Sequence, residues 1–127
     1  MYEVKIEDSF SGAHHLRSYH GKCEALHGHN WKVEVLVGST SLDSEGMVID
    51  FQILKESTRA ALKALDHKYL NELPEFLEIN PSSENIARYV FDRLRSILNG
   101  RRVVLKKVIV WESETTCASY YEDDSHD

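Results

Sequence analysis

The stretch of sequence that decides the fold is residues 23–37, CEALHGHNWKVEVLV. Apolar and polar residues alternate from Trp31 to Val37, which predicts a β-strand with one buried face. Because successive side chains of a strand point to opposite faces, His27 and His29 are expected to share a face with Trp31. A pair of histidines at this spacing indicates a metal site. The simpler alternative is two ordinary histidines near the start of a strand.

A third candidate ligand lies upstream, in the segment that joins the first predicted strand to the second. If the strand that contains Ile6 and Phe10 continues unbroken, His14 faces the same side as those residues and His15 faces the other. Three imidazoles with no fourth protein ligand leave an open coordination position, which catalytic zinc requires. The pattern therefore favours Zn²⁺ on His14, with His27 and His29, rather than on His15.

Cys23 has two interpretations. Its thiolate can be a fourth zinc ligand beside the three histidines, which would make a closed structural site. Alternatively, Cys23 is a base or nucleophile whose pKa is lowered by the nearby cation, by histidine and by the adjacent Lys22. The sequence alone leaves both open.

Two carboxylates stand next to chemically useful positions. Asp66 precedes His67 at the end of a predicted helix, where a carboxylate can orient an imidazole as in a proton relay. On pattern alone, a surface pair at a helix C-terminus is the simpler interpretation. Glu112 follows an apolar strand, and its two oxygens suit the adjacent N–H donors of a guanidine-like heterocycle. On pattern alone, it is a surface residue at a strand end.

Composition narrows the class of protein. The 127 residues include 15 basic and 21 acidic ones, and the net charge of −6 argues against a general nucleic-acid binder. No apolar run is long enough for a membrane span, and two cysteines favour a reducing cytoplasm. Residues 1–121 are expected to form one domain, followed by an acidic tail at 122–127. Local cations for an anionic small substrate are His15, Arg17 and Lys22.

The order of predicted elements is strand, strand, helix, helix, strand, strand. Asp50 can cap the first helix and Ser82 or Ser83 the second, while residues 11–26 are expected to be a functional loop. This order predicts an α+β fold in which two helices cover one face of a four-stranded antiparallel sheet. Val, Trp and Tyr side chains are expected on the other face, which suggests burial against another subunit.

Six segments in order resemble the 6-pyruvoyl-tetrahydropterin synthase family. They are FSGAH at 10–14, CEALHGH at 23–29, GMVIDF at 46–51, LDHKYLN at 65–71, NPSSEN at 80–85 and WES at 111–113. Three residues separate the cysteine from His-Gly-His, as in the bacterial branch (QueD, 6-carboxy-5,6,7,8-tetrahydropterin synthase), whereas the animal pyruvoyl enzymes usually have five. Trp111 is a departure, since some relatives carry Lys or Tyr there.

The resemblance implies a role for each matching residue. Zinc is expected on His14, His27 and His29. Cys23 is expected to abstract protons, with Asp66 and His67 as its relay. Glu112 is expected to be a catalytic residue and to anchor the pterin, outside the metal's ligand set, with Ser82 and Ser83 near the ring.

The resemblance also implies the tunnelling fold, in which two trimers form a homohexamer with active sites between subunits. The implied reaction converts 7,8-dihydroneopterin triphosphate to 6-carboxy-tetrahydropterin, acetaldehyde and triphosphate, on the route to queuosine. Two alternatives stay open: a synthase of the same fold that stops at 6-pyruvoyl-tetrahydropterin, and a non-catalytic oligomer stabilised by zinc.

Overall fold

The computed structural model describes residues 1–18 and 25–122. Cys23 and Lys22, and residues 123–127 of the expected acidic tail, therefore lie outside the described residues. Within them, neither helix has the length and the apolar run needed to cross a bilayer. The elements are β1 (Tyr2–His14), β2 (His27–Ser39), α1 (Phe51–Leu62), β3 (Lys68–Tyr69), α2 (Ser83–Ile97), β4 (Val104–Trp111) and β5 (Cys117–Tyr120).

The strands form one sheet in the order β3-β1-β2-β4-β5. The α+β class and the two helices are confirmed, but the described sheet has five strands rather than the expected four. The additional strand, β3, pairs in parallel with Gly12 and Ala13 of β1. It has two residues, too few for an alternating pattern to reveal it.

The first strand is longer than its pattern indicated. Residues 11–14 were expected to belong to a loop, yet β1 continues through them and pairs with β2 as far as His14 opposite His27. The register places Phe10 opposite Trp31 and Gly12 opposite His29. Polar and small residues in this part of β1 obscured the alternation that the backbone still follows.

One face of the sheet holds the hydrophobic core. On β2 the side chains of Trp31, Val33, Val35 and Val37 are all 0% exposed, and they pack with the buried residues of both helices. Each helix has an N-cap of the expected kind. The Asp50 carboxylate accepts a hydrogen bond from the Gln52 N–H at 2.8 Å, and the Ser82 hydroxyl accepts one from the Asn85 N–H at 3.2 Å.

The opposite face of the sheet is more polar than expected. The valines of β2 face the core instead, and Trp111 lies on the open face, where its indole N–H donates to the Glu34 carboxylate. Lys5 forms an ion pair with Glu34 at 2.7 Å. A cross-strand ion pair and the Trp111–Glu34 hydrogen bond therefore occupy part of this face.

Candidate metal centre and surrounding site

Three imidazoles meet at one end of the sheet, on the face that carries the core. His14 ends β1 and is paired with His27 at the start of β2, and His29 follows two residues later. The ring centroids lie 4.6 Å apart for His14 and His27, 5.2 Å for His14 and His29, and 4.6 Å for His27 and His29. Antiparallel pairing of β1 with β2 thus brings together side chains that are up to 15 positions apart in sequence.

Backbone carbonyls select the tautomer of two of these rings. The Nδ1 atom of His14 lies 2.7 Å from the Pro81 carbonyl oxygen, and Nδ1 of His27 lies 2.9 Å from the Ala25 carbonyl oxygen. A carbonyl oxygen only accepts, so each Nδ1 carries the proton and donates it. The Nε2 atom of each ring then presents its lone pair, the arrangement found in metal-binding histidines.

The ring nitrogens fit a metal ion. Nε2 of His14 and Nε2 of His29 are buried, and neither has a hydrogen-bond partner among the described residues. Buried polar atoms without a partner are rare, and each calls for an explanation such as a bound ion. Burial, together with the neighbouring His27 and His14, also lowers the pKa of His29, against the opposing effect of Glu112. A lowered pKa favours the neutral ring that a metal requires.

His15 takes no part in this cluster. Its side chain faces away, and its Nδ1 lies 2.9 Å from the Tyr69 hydroxyl. The expected register, with His14 turned inward and His15 outward, matches these positions.

Glu112 reaches the same point from β4. It lies two residues beyond the buried Val110, so its side chain continues along the core face of the sheet. Glu112 Oε1 lies 3.1 Å from Nε2 of His29, 3.3 Å from Nε2 of His14 and 3.6 Å from Nε2 of His27. One ligand atom from each of these four residues lies within 4.8 Å of all the others, so together they can hold a metal ion.

This position of Glu112 differs from the expectation that the residue lies outside the metal's ligand set. Nothing in the sequence distinguished a strand-end carboxylate that faces solvent from one that faces three imidazoles. Three nitrogens and one carboxylate oxygen are a donor set that zinc accepts.

Asp66 and His67 lie at the edge of the sheet, beside β1. The Asp66 carboxylate accepts a hydrogen bond from the Ser11 N–H at 3.0 Å, and the His67 N–H donates to the Ser11 carbonyl at 2.6 Å. His67 adopts a left-handed backbone conformation with φ of 59°, which is uncommon outside glycine. Its Nε2 lies 3.6 Å from Asp66 Oδ1, and 81% of its side chain is exposed.

The Ser11 N–H is the largest cause of a lowered pKa at Asp66, and the charges of His67 and Arg59 act in the same direction. Asp66 is therefore ionised at neutral pH. His67 is outside the four-residue cluster, but it lines a cleft of about 500 Å³ that is also lined by His29. The exposed imidazole thus borders the same cleft as one member of the cluster.

The two serines have different surroundings. The Ser82 hydroxyl caps α2, and this structural role accounts for a serine at position 82 without any contact to a ligand. The Ser83 hydroxyl donates a long hydrogen bond of 3.4 Å to Glu112 Oε2. Of the two, Ser83 is the one in contact with the cluster.

Arg17 has a position that its charge did not predict. Its guanidinium donates to three backbone carbonyls, those of Ile79 at 3.0 Å, Asn71 at 3.1 Å and Phe76 at 2.6 Å. The side chain is therefore engaged in holding the segment after β1 against residues 71–79. This is a structural use, whereas the sequence suggested a cation for an anionic substrate.

Asparagines complete the same attachment. The Asn71 side chain accepts from the His15 N–H at 3.0 Å and donates to the His15 carbonyl at 3.0 Å. Asn80 does the same for Arg17, at 2.8 Å and 3.2 Å. Asn71 thus holds the backbone of residue 15, and Asn80 holds that of residue 17. Asn71 and Asn80 belong to the segments quoted above, but neither was singled out as functional.

Comparison with known proteins agrees with this geometry. The family model described as 6-pyruvoyl tetrahydropterin synthase matches residues 3–123. The chain is 39% identical to the 6-carboxy-5,6,7,8-tetrahydropterin synthase of Synechocystis sp., covering 95% of this chain and 94% of the relative. It is 38% identical to the dihydroneopterin monophosphate aldolase of Pyrococcus furiosus, covering 82% of this chain and 83% of the relative.

A solved structure extends the likeness to three dimensions. The Caenorhabditis elegans 6-pyruvoyl tetrahydropterin synthase superposes with a TM-score of 0.79 at 30% identity, covering 97% of this chain and 98% of that one. The architecture is thus that of the tunnelling fold. With sequence, fold and histidine cluster in agreement, the chain belongs to the 6-pyruvoyl tetrahydropterin synthase family.

Proposed function

We propose that the protein is a 6-carboxy-5,6,7,8-tetrahydropterin synthase that acts on 7,8-dihydroneopterin triphosphate, on the route to queuosine. With one water, the products would be 6-carboxy-tetrahydropterin, acetaldehyde and triphosphate. The observation that carries the proposal is the convergence of three Nε2 atoms and a carboxylate oxygen at one point. The similarity to the Synechocystis protein of that name supports the choice of reaction.

His14, His27 and His29 are proposed to hold Zn²⁺. The two carbonyl-bound Nδ1 atoms keep their rings in the tautomer that this requires. Bound there, zinc would supply Lewis-acid chemistry that lowers the pKa of the substrate's side-chain hydroxyl groups.

Proton transfer is proposed for Cys23, Asp66 and His67. Cys23 would remove and return protons on the carbon atoms of the substrate side chain, a role suited to a thiolate. His67 is exposed and borders the cleft shared with His29, so a bound substrate can reach it. Asp66, held ionised by the Ser11 N–H, would orient His67 and stabilise its protonated form.

Glu112, Ser82 and Ser83 are proposed to bind the pterin. A carboxylate can accept two hydrogen bonds from the neighbouring N–H groups of the pterin ring, and such charge-assisted pairs are stronger than neutral ones. Ser83 already touches Glu112, which places a hydroxyl next to the carboxylate. The Ser82 hydroxyl caps α2, so Ser82 would contact the pterin through its backbone or would position Ser83.

Product identification tests the reaction. Incubation with dihydroneopterin triphosphate should release acetaldehyde and triphosphate and yield 6-carboxy-tetrahydropterin by mass. A pyruvoyl product without acetaldehyde would favour the activity named for the C. elegans relative. In a parallel incubation with dihydroneopterin monophosphate, aldol cleavage without loss of phosphate would favour the activity named for the P. furiosus relative. Bound zinc without any turnover would favour the non-catalytic alternative.

A homohexamer with sites between subunits, located in the cytoplasm, is proposed as the working assembly. Two features support assembly through strand edges. Of the long strand β1, only Gly12 and Ala13 pair with β3, and β5 ends the described sheet on the other side. Unpaired strand edges are templates for pairing with another chain. Mass measurement by light scattering would give the number of subunits.

A further inference from the structure

We infer that Tyr69 is a further substrate-contacting residue, and that His15 holds the Tyr69 hydroxyl in place for a hydroxyl group of the substrate side chain. The inference rests on the proposed function, because it takes the ligand of the cleft to be a pterin with a hydroxylated side chain. Neither residue belongs to the histidine cluster or to the pterin contacts proposed above.

Tyr69 and His15 form a hydrogen-bonded pair that is only partly open to solvent. The Tyr69 hydroxyl lies 2.9 Å from Nδ1 of His15, and the two ring centroids lie 5.9 Å apart. Both side chains are half-buried. The two residues are 54 positions apart in sequence, so the fold, rather than the local chain, brings them together.

The backbone on each side of this pair is fixed. The Asn71 side chain is 5% exposed, and it accepts from the His15 N–H and donates to the His15 carbonyl, both at 3.0 Å. Tyr69 belongs to β3 and is paired with Ala13 of β1, and the next residue, Leu70, is 0% exposed. Because both backbones are held, the contact with His15 sets the direction of the phenol. A side chain fixed in this way is preorganised for a ligand.

The pair borders the cleft of about 500 Å³, which is lined by both Tyr69 and His67. The register places Tyr69 beside Ala13, and Ala13 beside Gly28. Both neighbours are small, and a Cβ added at Gly28 would meet no atom within 4 Å. Open space therefore runs from the phenol across β1 to β2, where His29 also borders the cleft.

The phenol retains one hydrogen-bonding position for a ligand. If Tyr69 donates to Nδ1 of His15, an oxygen lone pair is left, and if Nδ1 donates, the O–H is left. Within residues 1–18 and 25–122 the hydroxyl has no second hydrogen-bond partner. A ligand hydroxyl fits either case, because it both donates and accepts, whereas a phosphate oxygen only accepts and an ammonium only donates.

The neighbouring imidazole explains why a fixed hydroxyl is useful in this cleft. His67 is proposed to take part in proton transfer on the substrate side chain, and its own side chain is 81% exposed. Catalysis by a positioned group depends on the reacting atoms being held in the right geometry. Tyr69 would hold a side-chain hydroxyl while His67 exchanges a proton beside it.

Calorimetry with two pterins tests this contact without turnover. The ligands are 7,8-dihydroneopterin, whose side chain carries hydroxyl groups, and 6-methyl-7,8-dihydropterin, whose side chain has none. Tyr69→Phe removes only the oxygen atom. We expect this variant to bind dihydroneopterin roughly 3- to 10-fold more weakly than wild type does, the effect of one neutral hydrogen bond, and to bind the methyl compound with wild-type affinity.

Tyr120→Phe is the matched control for Tyr69→Phe. Tyr120 lies in β5, and its hydroxyl donates to the Glu122 carboxylate at 2.8 Å. The substitution thus also deletes a hydrogen-bonded phenol oxygen, but away from the cleft. We expect it to leave the affinity for both pterins unchanged.

Two substitutions test the positioning role of His15. His15→Leu removes the ring nitrogen and should weaken dihydroneopterin binding as much as Tyr69→Phe does. His15→Asn supplies an amide that can bond to the phenol, and it should restore most of the wild-type affinity. The double variant of Tyr69→Phe and His15→Leu should lose no more than either single variant, because both act on one contact. Additive losses would overturn the positioning role.

The outcomes separate the contact from the proposed function. Equal affinity of wild type and Tyr69→Phe for dihydroneopterin would overturn the contact while leaving the proposed function intact. An equal loss of affinity for both pterins would assign the phenol a structural role and would also overturn it. If wild type binds neither pterin, the proposed function fails and the inference fails with it.

Discussion

Nδ1 of His14 lies 2.7 Å from the carbonyl oxygen of Pro81, so the last residue of β1 is bonded to the residue that precedes the cap of α2. The bond fixes the orientation of a ring that is 2% exposed. It also connects the cluster to the helix whose first turn carries Ser83, the contact of Glu112. The histidine cluster and the start of α2 are therefore directly connected.

Removal of any one cluster imidazole should sharply weaken metal binding. His14→Ala, His27→Ala and His29→Ala each take one nitrogen from a site that then retains two, and we expect at least about a 100-fold loss of zinc affinity, above the cost of second-shell changes. Chelator competition measures the loss. His15→Ala is the control, because His15 bonds with Tyr69 instead. Zinc lost from His15→Ala but kept by His14→Ala would contradict the register.

Cys23→Ala should separate metal binding from catalysis. If Cys23 transfers protons, the variant keeps about one zinc per chain and loses turnover, because the histidine ligands remain. Metal analysis and product formation are measured on the same preparation. Retained activity would remove Cys23 from the mechanism, and loss of zinc together with activity would favour a closed site in which the thiolate is a ligand.

Arg17→Met should destabilise the protein rather than reduce its charge-dependent affinity for substrate. The substitution keeps an apolar stem but leaves three carbonyls without the guanidinium. Hydrogen bonds from charged donors contribute about 1.5–3 kcal/mol each, and partial access of water reduces the total to roughly 2–4 kcal/mol. Urea denaturation gives the change in free energy of unfolding.

The control for Arg17→Met is Arg101→Met. Arg101 is exposed, and its side chain has no hydrogen bond or ion pair within the part of the chain that the structure describes. We expect its unfolding free energy to match wild type within about 0.5 kcal/mol. Equal stability of the two variants would show that the three carbonyl contacts of Arg17 contribute little.

Local periodicity predicts the face that His27 and His29 occupy, and it predicts the face of His14 on the condition that β1 continues unbroken. The alternation in residues 31–37 places His27 and His29 beside Trp31, and the register from Ile6 and Phe10 places His14 on the same face. These predictions depend on the two-residue repeat of a strand, which a sequence displays directly. The family resemblance added roles for residues such as Asp66 that no periodicity could supply.

Other features depend on contacts that no local pattern encodes. Strand β3 is two residues long, and its position is determined by pairing with β1, more than 50 positions away in sequence. The three carbonyl partners of Arg17 lie 54–62 positions from it. Glu112 could be recognised as a strand-end carboxylate, but its approach to the imidazoles depends on the order of β1, β2 and β4 in the sheet.

The open face of the sheet should make stability depend on pH through Glu34. This side chain is 7% exposed and lies 2.7 Å from the Lys5 ammonium. The hydrogen bond from Lys5 is the largest cause of a lowered pKa at Glu34, and the Trp111 N–H acts in the same direction, while burial opposes them. Protonation therefore favours the unfolded chain, whose pKa is near the ordinary value of 4.5. The stabilising contribution is present above that pH and is lost as pH falls through the folded pKa.

Glu34→Gln removes this contribution, so the free energy of unfolding should depend less on pH in the acid range than it does in wild type. At pH 7 we expect the free energy of unfolding of the variant to be about 1–2 kcal/mol lower than that of wild type, because Lys5 loses its ionic partner. The loss stays this small because the Lys5 side chain is half exposed to water. Below about pH 4 the difference should shrink. Urea denaturation at several pH values measures both, with Glu7→Gln as the control, since Glu7 lies 3.8 Å from Lys5 and is 52% exposed. A difference that stays constant down to pH 3 would show that the Glu34 carboxylate is not linked to folding.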